Sequence, residues 1–172
     1  MLYFAYGSNM SLARLRHRVP SARRLSVGAL SGHRLCFHKV SHRDGSAKCD
    51  ALETGLSQDR VWGVVYRIAP EERVLLDQAE GLGQGYQRAW VDLSLQSGED
   101  CRAFLYRATL IDQRLAPFTW YKQHVLVGAR ENGLPEDYVR LIEAVYALQD
   151  ADRERHRNET RIHHALAHDL DD

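Results

Sequence analysis

Two short stretches of this 172-residue chain carry side chains that can do chemistry: Tyr6-Gly7-Ser8-Asn9, and Glu80 ahead of Gly81-Leu82-Gly83-Gln84-Gly85. The first follows the aromatic-rich run Leu2 to Tyr6, which is too short for a helical period and reads as a buried strand. Gly7 has no Cβ and lets the chain turn sharply, while Ser8 and Asn9 suit the cap of a helix beginning near Met10. Consecutive N–H groups at such a turn, aided by the helix dipole, can hold an anion or an oxyanion. An ordinary strand–turn–helix corner has the same local composition. Glu80 is the second candidate because a carboxylate belongs poorly at a helix C-terminus. The negative end of the dipole disfavours its charge by up to about 1 kcal/mol near the surface, and burial adds to that. Both effects push such a group toward its neutral form, as a general acid/base requires. The bland reading is a frayed, solvated helix end. Gly81, Gly83 and Gly85 have the wrong spacing for a dinucleotide fingerprint and lead from helix to strand, the reverse of that motif's context.

These residues must be positioned by the elements around them. Val61 to Ile68 alternates Trp62, Val64, Tyr66 and Ile68 against Gly63 and Val65, a strand pattern. Pro70 suits a first helical position, Glu71 and Glu72 its positive end, and Val74, Leu75 and Leu76 its apolar contacts, giving a helix that runs to Glu80. Arg88 to Leu95 and Cys101 to Ala108 form an antiparallel hairpin across Ser97-Gly98-Glu99-Asp100. Leu25 to His38 reads as two strand pieces with a bend or bulge at Gly28 and Gly32. Ser41 to Leu52 is polar and turn-rich, a long loop. Met10 to Arg18 is a short helix whose Arg14, Arg16 and Arg18 solvate one side. Thr119 to Glu131 is helical, closed by Asn132-Gly133. Leu134-Pro135 opens another helix with Tyr138, Leu141, Ile142, Val145 and Leu148 on one stripe. The whole is a mixed α+β chain whose helices must cover the sheet.

Composition narrows the function classes. A chain with 44% hydrophobic residues and no dividing linker buries one core, so residues 1–148 are expected to form a single domain. Residues 149–172 read as a charged tail, partly helical or disordered, in which His164 and His168 are a solvated pair rather than a metal site. Lys plus Arg equals Asp plus Glu at 23 each, so no overall field recruits nucleic acid or an anionic membrane. The chain lacks a signal-peptide pattern and a membrane-spanning run, which sets the expectation of a cytoplasmic protein. Cys36, Cys49 and Cys101 are widely spaced without a CxxC and read as reduced thiols, and His33 and His38 as ordinary histidines rather than ligands.

Taken in order, Tyr6-Gly7-Ser8-Asn9, Val61-Trp62-Gly63-Val64-Val65-Tyr66, Leu76-Asp77-Gln78-Ala79-Glu80-Gly81 with Tyr86, and Tyr121 with Gly128-Ala-Arg-Glu-Asn-Gly-Leu-Pro135-Glu-Asp-Tyr138 form a spaced series. In order and spacing that series resembles the γ-glutamylcyclotransferase family across residues 1 to 148. The resemblance implies a small mixed or antiparallel barrel-like sheet with packed helices. It also implies conversion of a γ-glutamyl amino acid or amine into 5-oxoproline with release of the amine, and neither cofactor nor metal. Glu80 is then the acid/base, the loop Tyr6 to Asn9 grips the glutamyl part, and Tyr86 and Tyr121 line the pocket. Asn9 after Ser8 is similar to the general and γ-glutamylamine branches, and unlike the glutathione-specific branch. Phe104 and Pro117-Phe-Thr-Trp120 depart from the family pattern and leave the leaving amine open.

The implied reaction asks little of the protein. The substrate's α-amine already sits where attack on the γ-carbonyl closes a five-membered ring, so the site mainly has to fold the substrate. One carboxyl group accepts the proton that the α-ammonium must lose and hands it to the departing nitrogen. The N–H groups around Gly7, Ser8 and Asn9 hold either the oxyanion or the substrate carboxylate. The expected partner is this small molecule, with no nucleic acid or membrane, in a monomer or homodimer. Two other classes compete: a non-catalytic ligand-binding or regulatory domain on the same fold, and an acyl hydrolase using Ser8 or Cys49. The latter lacks a nucleophile-elbow context and an evident His and acid partner.

Overall fold

The computed structural model of the chain describes residues 1–168, with side chains through His163. A closed barrel is built in the order β1 (Leu2–Ala5), β5 (Arg60–Arg67), β2 (Arg23–Ser31), β6 (Tyr86–Leu95) and β7 (Asp100–Ala108). Its pairings are antiparallel except at the seam, where β1 meets β7 in parallel with Tyr3 opposite Phe104. β3 (His33–Val40) and β4 (Ala47–Glu53) form a separate two-stranded ribbon. The core gathers Phe4, Val64, Val65, Tyr66, Leu105 and Phe104 from the barrel with Leu15, Leu76, Val125 and Ile142 from the helices. The helices are α1 (Leu12–Arg18), α2 (Arg73–Glu80), α3 (Thr119–Glu131), α4 (Glu136–Glu143) and α5 (Arg153–His168).

The expected mixed α+β class, the opening strand, the Val61 strand, the hairpin and the Thr119 helix are all present. Three expectations need correction. Ser41 to Leu52 is not one loop: β4 begins at Ala47 and pairs with β3. Its buried positions are small or polar, and Asp50 is satisfied internally by His38 Nε2 at 2.9 Å and the Ala108 N–H at 2.8 Å, so no bulky alternation announces it. The register shift in β2 lies between Arg24 and Ser26, not at Gly28, whereas the bend expected at Gly32 is present. Gly32, at φ +70°, turns the chain out of the barrel into the ribbon. The stripe of α4 stops at Glu143, because Lys122 Nζ takes the carbonyls of Glu143 and Val145 at 3.0 and 2.8 Å while Leu148 bridges to Phe118.

Helix α5 packs against α3. Trp120 Nε1 donates to Asp150 at 2.8 Å just before α5. Within the helix Glu159 accepts from Arg14 at 3.1 Å and from His124 Nε2 at 3.3 Å. His124 Nδ1 stands 2.6 Å from His163 Nε2, an arrangement that a neutral His124 satisfies by donating to Glu159 and accepting from His163. The side chains of His164 and His168 lie outside the described residues.

Burial pulls His124 down from 6.5 to about 4, against the opposing hydrogen bond to Glu159. The hydrogen bond from His124 is the largest cause holding Glu159 at about 2, below its ordinary 4.5. Both folded values are depressed, so both groups contribute stability at high pH and lose it as pH falls. The His124 contribution is full above pH 6.5 and disappears on falling through about 4. Denaturant midpoints measured from neutral pH down to about pH 4 should therefore fall, and His124→Asn should flatten the upper part of that decline.

Candidate active site

The chain leaves β1 through Tyr6 and Gly7 into a 3-10 turn, Ser8–Met10, closed by the Met10 N–H on the Gly7 carbonyl at 3.0 Å. Ser8 and Asn9 do not cap a helix as their types suggest: the turn has no side-chain cap. The start of α1 is instead held from afar, with the Leu12 N–H donating to Glu131 Oε1 at 2.7 Å. Gly7 has an ordinary φ of −120° and is needed for space, since a Cβ there would lie 3.1 Å from Cys49 Cβ and 3.4 Å from the Tyr121 hydroxyl. Helix α3 fixes the turn from behind. A Cβ on Gly128 would sit 2.6 Å from both Met10 Cβ and the Ser11 nitrogen, so only glycine lets the two backbones meet. Asn132 Nδ2 donates to the carbonyls of Met10 at 3.0 Å and Gly128 at 2.8 Å, and the Tyr66 hydroxyl also reaches Met10 O.

Glu80 is the last residue of α2. Gly81 follows at φ +68°, ψ +51°, and the N–H groups of Gly81 and Leu82 return to the carbonyls of Gln78 and Asp77 at 3.1 and 2.9 Å. This left-handed stop satisfies the helix end and fixes where Glu80 points. Asp77 fastens the helix to the barrel by accepting from the Tyr106 hydroxyl at 2.7 Å, with Arg88 Nε at 3.4 Å. Glu80 Oε1 accepts from Asn9 Nδ2 at 2.8 Å and from Arg18 Nη1 at 2.7 Å, and Arg18 Nη1 also donates to Asn9 Oδ1 at 2.8 Å. Arg18 is thus no solvating residue of α1. The carboxylate expected to lack a partner at the helix end has one, a guanidinium. Oε2 takes no hydrogen bond among the described residues.

A cavity of about 20 Å³ brings Tyr6, Gly7, Ser8, Asn9, Glu80, Tyr86 and Tyr121 together, joined by Tyr3, Cys49 and Tyr106. It opens on a vestibule of about 410 Å³ with which it shares Ser8, Glu80, Tyr86 and Tyr121. The phenols are structural as well as lining. Tyr6 donates to Tyr106 O and Tyr86 to Cys49 O, while the Tyr121 oxygen accepts the Cys49 N–H at 3.1 Å. Burial is the first cause pushing all three phenols up, so they stay neutral. Burial likewise pushes the Cys49 thiol up to about 12, which denies it a nucleophilic thiolate. His38 is engaged with Asp50, and His124 with Glu159 and His163. Among the described residues no histidine is hydrogen-bonded to Ser8, so nothing in the geometry favours the acyl-hydrolase arrangement. Among the described residues no group of three or more His, Cys, Asp and Glu could hold a metal ion, and no helix is long and apolar enough to cross a membrane.

Comparison with known proteins reads the same series of segments. Residues 60–142 match the model of the AIG2-like family. A bovine (Bos taurus) γ-glutamylcyclotransferase is 33% identical over 147 residues, covering 84% of this chain and 78% of the relative. The human (Homo sapiens) γ-glutamylcyclotransferase is 32% identical over 149 residues, with the same coverage of 84% and 78%. The chain belongs to the γ-glutamylcyclotransferase family. A solved γ-glutamyl cyclotransferase superposes with a TM-score of 0.84 at 28% identity, covering 94% of this chain and 98% of that one.

Within this family fold, the segments that carried the resemblance have separable physical tasks. The first and third supply the cavity wall and Glu80, and the fourth locks the first through Gly128, Glu131 and Asn132. Reading the sequence missed Arg18, Tyr3 and Tyr106, and weighed Cys49 only as a hydrolase nucleophile. Arg14 and Arg18 fall one helical turn apart, but spacing alone names no partner for them. Phe104, one departure, is buried 5.2 Å from the Tyr3 ring and does not line the cavity. Trp120, the other, reaches Asp150 at the foot of α5. Gly128→Ala should destabilise the protein by about 1–3 kcal/mol through overpacking against Met10 and Ser11, read as a lower urea midpoint.

Proposed function

We propose that the chain is a γ-glutamylcyclotransferase that closes the γ-glutamyl group of a small substrate into 5-oxoproline and releases the attached amine. The observation that carries this is the clamp on Glu80, which lines the cavity: Oε1 is held by Asn9 and Arg18 while Oε2 takes no hydrogen bond among the described residues. A carboxylate fixed through one oxygen and open at the other is suited to shuttling protons. The glutamyl part folds at the mouth that the inner cavity shares with the vestibule, with its α-nitrogen at Oε2 and its polar end toward the inner cavity. Tyr6, Gly7, Ser8, Asn9, Tyr86 and Tyr121 are the binding residues, and the N–H groups of the turn face the polar end of the glutamyl part.

The α-ammonium gives a proton to Glu80, and the freed amine attacks the γ-carbonyl carbon. The new C–N bond closes the five-membered ring, and the bond to the leaving nitrogen breaks as that nitrogen receives a proton from Glu80. Two protons in all pass from the α-nitrogen to the released amine, and Glu80 ends as it began. The nucleophile belongs to the substrate, so no side chain is acylated. Arg18 and Asn9 are positioning residues: they fix Oε1, and the guanidinium balances the carboxylate between transfers. Three unpaired cysteines support a reducing, cytoplasmic setting.

Glu80→Gln keeps the shape, and its carbonyl can still accept from Asn9 and Arg18. The variant should fold and bind substrate yet lose about 100- to 10,000-fold in kcat for 5-oxoproline release. A variant with wild-type turnover would assign the proton transfers elsewhere.

A further inference from the structure

The vestibule outside the inner cavity carries the lysines and arginines Arg14, Arg18, Lys39, Arg43, Lys48 and Arg155 against the acids Asp44, Glu80 and Glu159. Most of these cations are already matched. Arg14 pairs with Glu159 at 3.1 Å, Arg18 with Glu80 at 2.7 Å, Lys48 with Asp44 at 2.8 Å and Arg155 with Asp150 at 2.5 Å. Arg43 stands 4.0 Å from Glu159. Among the described residues, Lys39 has no carboxylate within that distance. It is only 7% exposed, and its ammonium lies 4.5 Å from the centre of the Tyr86 ring.

A half-withdrawn ammonium with no carboxylate in contact is costly, so the frame around it matters. Strands β3 and β4 slip register between Phe37 and Lys39, and the extra residue, His38, is locked by its bond to Asp50 at 2.9 Å. A bulge of this kind re-aims the side chain that follows it. The Val40 N–H then ties the strand to Leu110 O at 3.0 Å. Gly85 leaves the room: at φ +104° it is left-handed, and a Cβ there would stand 3.0 Å from Lys39 Cε and 3.5 Å from Nζ. Desolvation lowers the Lys39 pKa despite the nearby charges of Glu80 and Asp44, so an arriving anion would relieve a destabilised charge.

We infer that Lys39 selects the leaving group, its ammonium receiving the α-carboxylate of the amino acid to which the γ-glutamyl group is attached. The inference rests on the cyclotransfer reading. With the glutamyl part at the mouth of the inner cavity and its amine at Glu80, whatever is bonded to the γ-carbonyl extends into the vestibule that Lys39 lines. A γ-glutamyl α-amino acid pairs with that ammonium. A γ-glutamyl amine only screens it from water and leaves it unmatched. Lys39 is thus a specificity-determining residue of the outer wall, apart from the reacting atoms.

The test compares kcat/KM for γ-glutamylalanine and γ-glutamylethylamide, which differ only by that carboxylate, with 5-oxoproline as readout. Wild type should prefer the alanine compound by about 10- to 100-fold. In K39M the preference should collapse toward unity, and K39Q, which keeps a polar head, is the second variant should K39M fail to fold. K39R should retain part of the preference. Equal losses on both substrates with the ratio intact would overturn the assignment, since Lys39 would then serve the glutamyl part or Glu80. A wild type without preference would overturn it while the cyclotransfer reading stands. No 5-oxoproline from either substrate would overturn both.

Discussion

Glu80 Oε1 accepts two N–H donors, Asn9 Nδ2 and Arg18 Nη1, and this contact joins the end of α2 to the turn after β1 and to the end of α1. Both charged side chains are largely withdrawn from water, 21% exposed for Arg18 and 17% for Glu80. A pair in that position gains little unless its geometry is held, because desolvation offsets the attraction. Each of the three segments is therefore anchored by something other than the pair itself. Asp77 fastens α2 to Tyr106 and Arg88, Glu131 receives the first N–H of α1, and Gly128 with Asn132 clasps the turn at Met10. The clamp completes a frame that the packing has already set.

The opposite wall of the cavity is built differently. A two-stranded ribbon such as β3–β4 is marginal alone, and much of this one carries polar residues. It is secured to α3 and the barrel by hydrogen bonds: Tyr121 of α3 and Tyr86 of β6 hold the N–H and the carbonyl of Cys49, and Asp50 accepts from Ala108 on β7. Buried phenols suit this work because their raised pKa keeps each hydroxyl neutral, so bracing the wall adds no charge beside the carboxylate. The same bonds fix the register that sends Lys39 toward the vestibule.

What the sequence disclosed follows from the range of the forces involved. Strands with bulky alternation and the helix ending at Glu80 are local patterns and were legible, although its first turn, Pro70–Glu72, is 3-10 and of Val74, Leu75 and Leu76 only Leu76 is buried. Tyr6 to Asn9 and Glu80 could be picked out as candidates, since a turn of small residues and a carboxylate at a helix end stand out within ten residues, and the fold brings them to one cavity. β4 was not legible, because its buried face is Ala47, Cys49 and Ala51 and its polar Asp50 finds partners only through the fold. Nor was Arg18: three arginines on a short helix look like a solvated face until the fold brings Glu80 within 2.7 Å of one of them. The roles of Asn9 and Glu131 were hidden for the same reason. Asn9 was expected to act locally as a cap, and both side chains act across tens of residues.

A five-stranded barrel fills its own interior with side chains and leaves no room for a ligand, so a site on this fold has to form at the rim. There the molecule separates two tasks. The inner wall is made of neutral phenols, a glycine-bearing turn and one clamped carboxylate, enough for a reaction whose nucleophile arrives with the substrate. The outer wall is charged, and nearly all of its cations are balanced by acids of the same chain. Selectivity among leaving groups can then change by altering the outer wall while Glu80, Asn9 and Arg18 stay as they are. An unbalanced charge at that rim, held by a bulge and a left-handed glycine, discriminates without touching the reacting atoms.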